Sequence, residues 1–136
     1  MTEKTENNII NLTTNERTQQ EITISGNPGK PTGEDGEKML QRMNESHYAV
    51  TGWALEHWKI RENDRILDIG CGGGATLKRM SEEVRDGHLT GVDYSATSLE
   101  LSGKTNAEAL RQGKMDLVEA SVEKLPFADN AFDKII

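Results

Sequence analysis

The sequence predicts an α/β fold in which helices cover a parallel β-sheet. Short runs rich in β-branched and other apolar residues alternate along it with longer segments whose apolar residues recur every three or four positions. Strands separated by helices are usually parallel, because each helix returns the chain to the same end of the sheet.

The first third of the chain lacks the residues that build a core. All Tyr, Trp and Phe residues lie after residue 47, and residues 1–35 are rich in Thr, Asn, Glu and Gln. Gly and Pro recur throughout GNPGKPTGEDG, at residues 26–36. We therefore expect residues 1–35 to be a disordered polar tail or linker, and residues 36–136 to form the folded part.

The folded part is predicted to begin with a long helix, or with two short helices separated by a bend near residues 44–46. From Glu37 onward, residues at helical spacing form one stripe, which comprises Leu40, Met43, His47, Val50, Ala54 and Trp58. We expect this stripe to pack against the rest of the fold.

Strands and helices then alternate. The predicted strands cover residues 66–69, 88–93, 115–120 and 132–136, and the helices between the first three cover residues 75–85 and 95–112. Gly87 follows the first of these helices, where a left-handed residue commonly ends a helix. Right-handed crossovers between the strands predict the order 3-2-1-4.

Composition and charge argue against several classes of protein. The formal net charge is −7 and there is no long Lys/Arg run, so no nucleic-acid partner is expected. No apolar run is long enough to span a membrane. The single cysteine, Cys71, and three unclustered histidines predict neither a disulfide nor a metal site. We expect a cytoplasmic location.

A glycine-rich loop follows the first predicted strand, and its pattern has three interpretations. It can be a plain turn, although one glycine would suffice for that. It also fits the dinucleotide-binding pattern G-x-G-x-x-G/A, counted from Gly70. Asp93 follows 23 residues later, near the position of the acid that binds the ribose in an NAD-dependent oxidoreductase. Read as D-x-G-x-G-x-G, it places an acid, Asp68, where a ligand with a positive group would lie.

Three ordered segments resemble those of a known family. ILDIGCGGG, then GVDYS, then ASVEKLPFADNAFDKII are similar to the signature segments of class I S-adenosylmethionine-dependent methyltransferases of the small-molecule kind, which includes the ubiquinone and menaquinone C-methyltransferases. The resemblance covers about residues 37–136. It implies a Rossmann-like fold, S-adenosylmethionine as cofactor, and methyl transfer to a small-molecule acceptor.

The resemblance also implies a cofactor site. Carried over position by position, the site comprises Asp68, Gly70, Cys71, Gly72, Gly74, Asp93, Tyr94, Ser121 and Val122. Asp68 would anchor the methionyl end, Asp93 would accept the ribose hydroxyls, and Tyr94 would border the adenine. Ser121 stands where the family most often has an acid, so a charge-assisted hydrogen bond to the adenine edge is lost.

Alternative roles remain open for several of these residues. Asp93 can instead cap the following helix, and Asp68 can cap the N–H groups of the glycine turn. His47 and Tyr48 lie on the first helix, which in this family often covers the cofactor. For them, packing of the helix against the sheet is the competing interpretation.

The sequence identifies no catalytic residue, because methyl transfer depends largely on positioning and the acceptor needs at most a general base. The sequence stops at the predicted fourth strand, so we expect a truncated or fragmentary methyltransferase domain. Ile135 and Ile136 would lie on an open sheet edge, which favours self-association. The alternatives to a methyltransferase are a non-catalytic remnant or interaction module, and an NAD-dependent oxidoreductase fragment.

Overall fold

The computed structural model describes residues 17–136, and the part of the predicted tail before residue 17 lies outside the described residues. The helices are α1 (Gln19–Gly26), α2 (Gly33–His57), α3 (Ala75–Glu83), α4 (Ala96–Thr105) and α5 (Ala107–Arg111). The strands are β1 (Arg65–Ile69), β2 (His88–Asp93), β3 (Met115–Glu119) and β4 (Lys134–Ile135).

The four strands form one parallel sheet in the order β3-β2-β1-β4, which confirms the predicted topology. Ile66, Leu89 and Met115 are neighbours in register across β1, β2 and β3. All three are buried in the hydrophobic core together with Leu77 and Met80 of α3. The helices therefore pack on the face of the sheet to which this row of residues belongs.

The opposite face of the sheet is covered by the loop before β4. Phe127 and Phe132 in this loop are in edge-to-face contact, with ring centroids 5.1 Å apart. Residues of the loop line a cavity with Leu67 of β1 and another with Thr90 of β2. The sequence runs LPF and FDKII predicted that this segment leads into the fourth strand. The segment also covers one face of the sheet.

Helix α2 is a single helix, but its predicted buried stripe is wrong for most of its length. Leu40 is buried as expected, whereas Val50 and Ala54 are exposed. The buried residues at the end of α2 are Gly52 and Leu55 instead. Gly52 faces α3, where the Arg79 guanidinium occupies the space that a side chain at position 52 would take, and apolar spacing does not reveal this contact.

The helix predicted over residues 95–112 is interrupted. Residues 95–112 form α4 and α5, which meet at Asn106. The Asn106 amide donates hydrogen bonds to the carbonyl oxygens of Gly74 at 3.0 Å and Ser102 at 3.1 Å. This buried side chain connects the helix junction to the glycine loop.

Residues 17–35, expected to be part of a linker, contain helix α1 and a short connection to α2. Thr18 caps α1 through reciprocal hydrogen bonds with Glu21, the pattern known as a capping box. The connection is attached to the start of α4, since the Ser95 hydroxyl donates to the carbonyl oxygen of Pro31. The Lys30 ammonium also lies 5.2 Å from the centroid of the Tyr94 ring.

Candidate functional site

The glycine loop crosses the carboxyl end of the sheet between β1 and α3. The N–H groups of Gly70 and Cys71 both donate to the carbonyl oxygen of Val92, at 2.7 and 3.0 Å. Gly70 and Gly72 have φ angles of +73° and +54°, in the left-handed region that favours glycine. The loop is therefore held against the end of β2 in a conformation that other residues rarely adopt.

The glycines of this loop fall into two groups. A Cβ atom on Gly74 would lie 2.2 Å from the Ser102 hydroxyl, and one on Gly73 would lie 2.5 Å from the Asn44 amide nitrogen. A Cβ atom on Gly70 would meet no atom within 4 Å, and one on Gly72 would meet only Leu40, at 3.7 Å. Gly73 and Gly74 thus allow the helices to pack, whereas Gly70 and Gly72 border open space.

Asp93, at the end of β2, is bound to the loop. One carboxylate oxygen accepts from the N–H of Gly72 at 3.0 Å and the other from the N–H of Ser95 at 2.9 Å. Ser95, not Asp93, is the N-cap of α4, because its hydroxyl accepts from the N–H of Ser98. Each Asp93 oxygen has a further acceptor site, so these two hydrogen bonds leave capacity for a ligand.

Asp68, at the end of β1, is in a different environment. Its side chain is 7% exposed, and no described residue donates a hydrogen bond to it. Burial, and to a smaller extent the negative charge of Asp93, raises the pKa of Asp68 to about 7. The capping of the glycine turn, one of the two roles considered for Asp68, is performed by Asp93. Asp68 is a buried acid without a partner in the described chain.

Two cavities adjoin the loop and share Gly70 as part of their walls. The first has a volume of about 350 Å³ and lies at the ends of β2 and β3. Its lining includes predicted site residues from all three sequence segments, namely Gly70, Asp93, Tyr94, Ser121 and Val122. We call it the nucleoside-side cavity, because it contains the residues expected to contact ribose and adenine.

The second cavity, of about 180 Å³, lies between the loop, α2 and α3. Three glycines and Cys71 form its floor, and the side chains around it include Asn44, His47, Tyr48 and Thr51 from α2 and Arg79 from α3. We call it the helix-side cavity. His47 and Tyr48 therefore line a cavity beside the loop and do not pack against the sheet.

Sequence analysis did not identify Asn44, Thr51 or Arg79 as candidate site residues. Arg79 lies on α3 five residues after Gly74, and its guanidinium carbon is 4.0 Å from the centroid of the Tyr48 ring. No local motif marks such a residue, because its position depends on how α2 and α3 pack. Gly52, in the last two turns of α2, is the sequence signal for a close approach of another group at this end of the helix.

At the end of β3, Ser121 and Val122 are exposed where they line the nucleoside-side cavity. The Ser121 hydroxyl oxygen accepts from the N–H of Glu123 at 3.2 Å. This hydroxyl can therefore still donate its proton to a ligand. Val122 is 65% exposed and offers an apolar surface beside it.

Cys71 contributes to the loop through its backbone, and its thiol is buried. Burial, followed by the charges of Asp68 and Asp93, raises the pKa of the Cys71 thiol to about 12. Since the thiolate is the reactive form of cysteine, Cys71 is unsuited to act as a nucleophile near neutral pH. Its small side chain lies against β2, where a Cβ atom on Gly91 would be 3.1 Å from the sulfur.

Within residues 17–136, no cluster of three or more His, Cys, Asp or Glu side chains is placed to hold a metal ion. None of the helices in that range combines the length and the apolar character needed to cross a bilayer.

Comparison with protein families places more than half of the chain in one family. Residues 66–136 match the family described as a methyltransferase domain. The matched range begins in β1 and includes the glycine loop, the ends of β2 and β3, and β4.

Individual relatives agree with this match. The chain is 38% identical over 81 residues to the 2-phytyl-1,4-naphtoquinone methyltransferase of Nostoc sp., which covers 59% of this chain and 35% of the relative. It is 28% identical over 94 residues to the uncharacterized methyltransferase YdaC of Bacillus subtilis, covering 69% and 50%. The chain therefore spans half or less of the length of these relatives.

The fold is also found in solved structures. A SAM dependent methyltransferase from Aquifex aeolicus superimposes with a TM-score of 0.62 at 18% sequence identity. The match covers 73% of this chain and 54% of the other. At this identity the likeness is one of fold.

Proposed function

Because this chain belongs to the methyltransferase domain family, we propose that it forms the S-adenosylmethionine-binding part of an enzyme that methylates a small molecule. One observation carries the proposal. The two cavities meet at Gly70, so a ligand with two chemically different halves can occupy both while its centre lies over a residue that has no side chain. S-adenosylmethionine is such a ligand, since it joins an amino acid to a nucleoside.

The nucleoside-side cavity fits the adenosine half. Asp93 accepts the ribose hydroxyls with the lone pairs that Gly72 and Ser95 leave unused. Tyr94 and Val122 provide exposed aromatic and apolar surface for the adenine. Ser121 donates its hydroxyl proton to the adenine edge. A serine hydroxyl is a neutral donor, whereas an ionised acid at this position would be a charged acceptor.

Asp68 fits the positively charged end of the cofactor. A buried carboxylate without a hydrogen-bond donor is unfavourable, and an ammonium group nearby would stabilise its ionised form. We assign to Asp68 the role of attracting the cofactor's amino group, either directly or through water. Asp93, whose two oxygens are already held by N–H groups, is the more rigid of the two acids.

The chain's own contribution to the reaction is positioning. When bound, S-adenosylmethionine supplies a methyl group on a positively charged sulfur, and in-line displacement depends on the alignment of the acceptor with that group. The loop, Asp68 and Asp93 orient the cofactor for this step. We assign no general base among residues 17–136.

For the acceptor we propose a small molecule with an apolar ring system of the quinone type. The relative from Nostoc sp. is named for a naphthoquinone. Radiolabelled methyl transfer to a demethylnaphthoquinol, compared with a polar acceptor such as glycine, tests this assignment.

Calorimetric titration of the full chain with S-adenosylhomocysteine, S-adenosylmethionine and NAD tests the cofactor assignment. We expect the first two to bind and NAD not to bind. Binding of NAD alone would favour the oxidoreductase alternative. If a chain with a cooperative unfolding transition binds none of the three, the remnant or interaction module is favoured and the proposal is wrong.

The role of Asp93 needs a test that separates binding from folding, because Asp93 also holds the loop. We expect wild type to bind adenosine more tightly than 2′,3′-dideoxyadenosine, and Asp93→Asn to reduce this preference about tenfold or more. Asp129→Asn, at an exposed loop residue, is the matched control. An unchanged preference in Asp93→Asn would show that Asp93 only supports the loop.

A further inference from the structure

Arg79 is held in a specific position on the wall of the helix-side cavity. Its guanidinium stacks on the Tyr48 ring, with 4.0 Å between the guanidinium carbon and the ring centroid. It also donates a hydrogen bond to the carbonyl oxygen of Tyr48. A Cβ atom on Gly52 would lie 2.2 Å from Nη2 of Arg79. One turn of α2 thus provides a ring, a carbonyl oxygen and an empty side-chain position around the guanidinium.

The contact between Gly52 and Arg79 costs helix stability, which suggests that the contact has a function. Glycine inside a helix is destabilising, and Gly52 lies within the 25 residues of α2. A guanidinium has five N–H donors, and among the described residues Tyr48 is the one recorded acceptor for Arg79. The position of the guanidinium is therefore fixed while most of its hydrogen-bonding capacity is unused.

The charge of Arg79 is also uncompensated within the described chain. Of the six other arginines, four form ion pairs with an acid, namely Arg17, Arg61, Arg85 and Arg111, whereas Arg42 and Arg65 form none with the described residues. No carboxylate of residues 17–136 lies within 4.0 Å of the Arg79 guanidinium nitrogens. The chain as a whole has a formal net charge of −7, so an unpaired arginine beside a cavity is not explained by a shortage of acids.

The lining of the helix-side cavity favours an anion. It contains no Asp or Glu, and beside Arg79 it offers the Asn44 amide and the Thr51 and Thr76 hydroxyls as hydrogen-bond donors. The guanidinium fork matches the two oxygens of a carboxylate. A carboxylate that reaches this cavity would therefore find a positioned guanidinium with unused N–H groups.

On the basis of the proposed function, we propose that Arg79 binds the amino-acid carboxylate of the cofactor, with Tyr48 and Gly52 fixing its guanidinium. The helix-side cavity adjoins the nucleoside-side cavity at Gly70, so the amino-acid half of a ligand whose nucleoside lies beside Asp93 extends toward Arg79. Two residues of opposite charge are then assigned to the zwitterionic end of the cofactor, of which Arg79 lines the helix-side cavity and Asp68 lines neither cavity. Asp68 attracts the ammonium group and Arg79 binds the carboxylate.

Binding of ligands with and without the carboxylate tests this assignment. Calorimetry with the full chain compares S-adenosylhomocysteine with 5′-methylthioadenosine, which has neither the carboxylate nor the amino group. We expect Arg79→Gln to weaken S-adenosylhomocysteine binding about 10- to 100-fold and to leave 5′-methylthioadenosine binding unchanged. Arg79→Lys, which keeps the charge but loses the fork, should recover part of the affinity. Arg111→Gln, at an exposed arginine, is the control.

Decarboxylated S-adenosylmethionine separates the two charged groups, because it retains the amino group. Its affinity should be the same for wild type and Arg79→Gln, whereas Asp68→Asn should weaken its binding. Comparing wild type and Arg79→Gln with ligands that have and lack the carboxylate forms a thermodynamic cycle. This cycle separates the interaction between Arg79 and the carboxylate from any general effect of the substitution.

Three results would overturn the inference. If Arg79→Gln weakens all ligands equally, Arg79 acts only by connecting α2 to α3. If it leaves S-adenosylhomocysteine binding unchanged, the carboxylate is bound elsewhere, although the proposed function stands. If wild type binds neither S-adenosylhomocysteine nor 5′-methylthioadenosine, the proposed function fails and this inference fails with it.

Discussion

Asp68 and Asp93 lie near the carboxyl ends of the neighbouring strands β1 and β2 and have the same side chain, yet their surroundings give them different properties. Asp93 accepts two N–H hydrogen bonds from the backbone, whereas Asp68 has no donor among the described residues. The sequence predicted both positions, because an acid at the end of each strand is visible in the segments DIGCGGG and GVDYS. It could not predict the difference between them, which depends on where the N–H groups of Gly72 and Ser95 point.

We expect Asp68 to make stability depend on pH. Burial and the charge of Asp93 raise its pKa from 3.8 to about 7 in the folded chain. Between these values the folded chain binds a proton that the unfolded chain has lost, so the stability contributed by Asp68 falls as pH rises through this window. Urea unfolding at pH values from about 5 to about 8 measures this. As pH rises, the free energy of unfolding of Asp68→Asn should increase relative to that of wild type, by at most about 1.4 kcal/mol per pH unit.

Asp129→Asn, at an exposed aspartate, serves as the control for that comparison. A constant difference between Asp68→Asn and wild type across the pH range would contradict the raised pKa of Asp68. In the presence of S-adenosylhomocysteine the wild-type pH dependence should flatten, because the ligand's ammonium group stabilises the ionised carboxylate.

Two glycine substitutions should have opposite effects on stability. Gly74→Ala places a Cβ atom against Ser102 at a residue with φ of +80°, and we expect a loss of about 2 kcal/mol or more. Gly103→Ala adds a Cβ atom within α4, where the nearest atom is 3.9 Å away, and should stabilise by up to about 1 kcal/mol. Chemical denaturation measures both, and a Gly74→Ala variant as stable as wild type would contradict the packing described for the loop.

At the scale of elements, strands were easier to predict than helix faces. All four strands lie where the sequence indicated, because each is a short apolar run bounded by turn residues. The buried face of α2 and the break at Asn106 were missed. Both depend on contacts between distant segments, namely Arg79 against Gly52 and the Asn106 amide against Gly74. Apolar periodicity reports only which residues are hydrophobic and contains no information on such polar contacts.

The attachment of the connection between α1 and α2 can be tested through Ser95. Its buried hydroxyl accepts from the N–H of Ser98 and donates to the carbonyl oxygen of Pro31. Ser95→Ala removes an N-cap and a buried hydrogen bond together, so we expect the free energy of unfolding to fall by about 2 kcal/mol. Ser46→Ala, at an exposed serine of α2, should change it by less than about 0.5 kcal/mol.

Limited proteolysis provides a second measurement on the same pair. In Ser95→Ala, cleavage between α1 and α2 should become faster than in wild type or Ser46→Ala, because the Pro31 contact is lost. Equal cleavage rates in all three would mean that the Lys30 and Arg17 contacts hold this segment without Ser95.

For the whole molecule, the sheet determines both the site and a surface. The carboxyl ends of β1, β2 and β3 bring together side chains from segments that are distant in sequence, which is why residues of all three ordered motifs line the nucleoside-side cavity. The edge strand β4 pairs with β1 on one side. Ile135, the last residue of β4, is 59% exposed. Self-association through this edge, expected from the sequence, stays a prediction.

Sedimentation at increasing protein concentration tests that prediction. Ile135→Lys should lower the average mass at high concentration, since charged residues on an edge strand oppose pairing with a second edge. Ile24→Lys, at a residue of α1 that is 69% exposed, controls for the loss of apolar surface in general. Equal effects of the two substitutions would contradict association through β4.

The position of Gly70 between two cavities affects how tightly ligands are held. Once one half of a two-part ligand is seated, the other half is confined near its own cavity at a high effective concentration. Adenosine and homocysteine added separately would lack this advantage and bind weakly, even if each makes the same contacts as within the joined molecule. For the proposed function, this means that S-adenosylhomocysteine, in which the two halves remain joined, would compete strongly with S-adenosylmethionine, and that sustained turnover would need its removal from the solution.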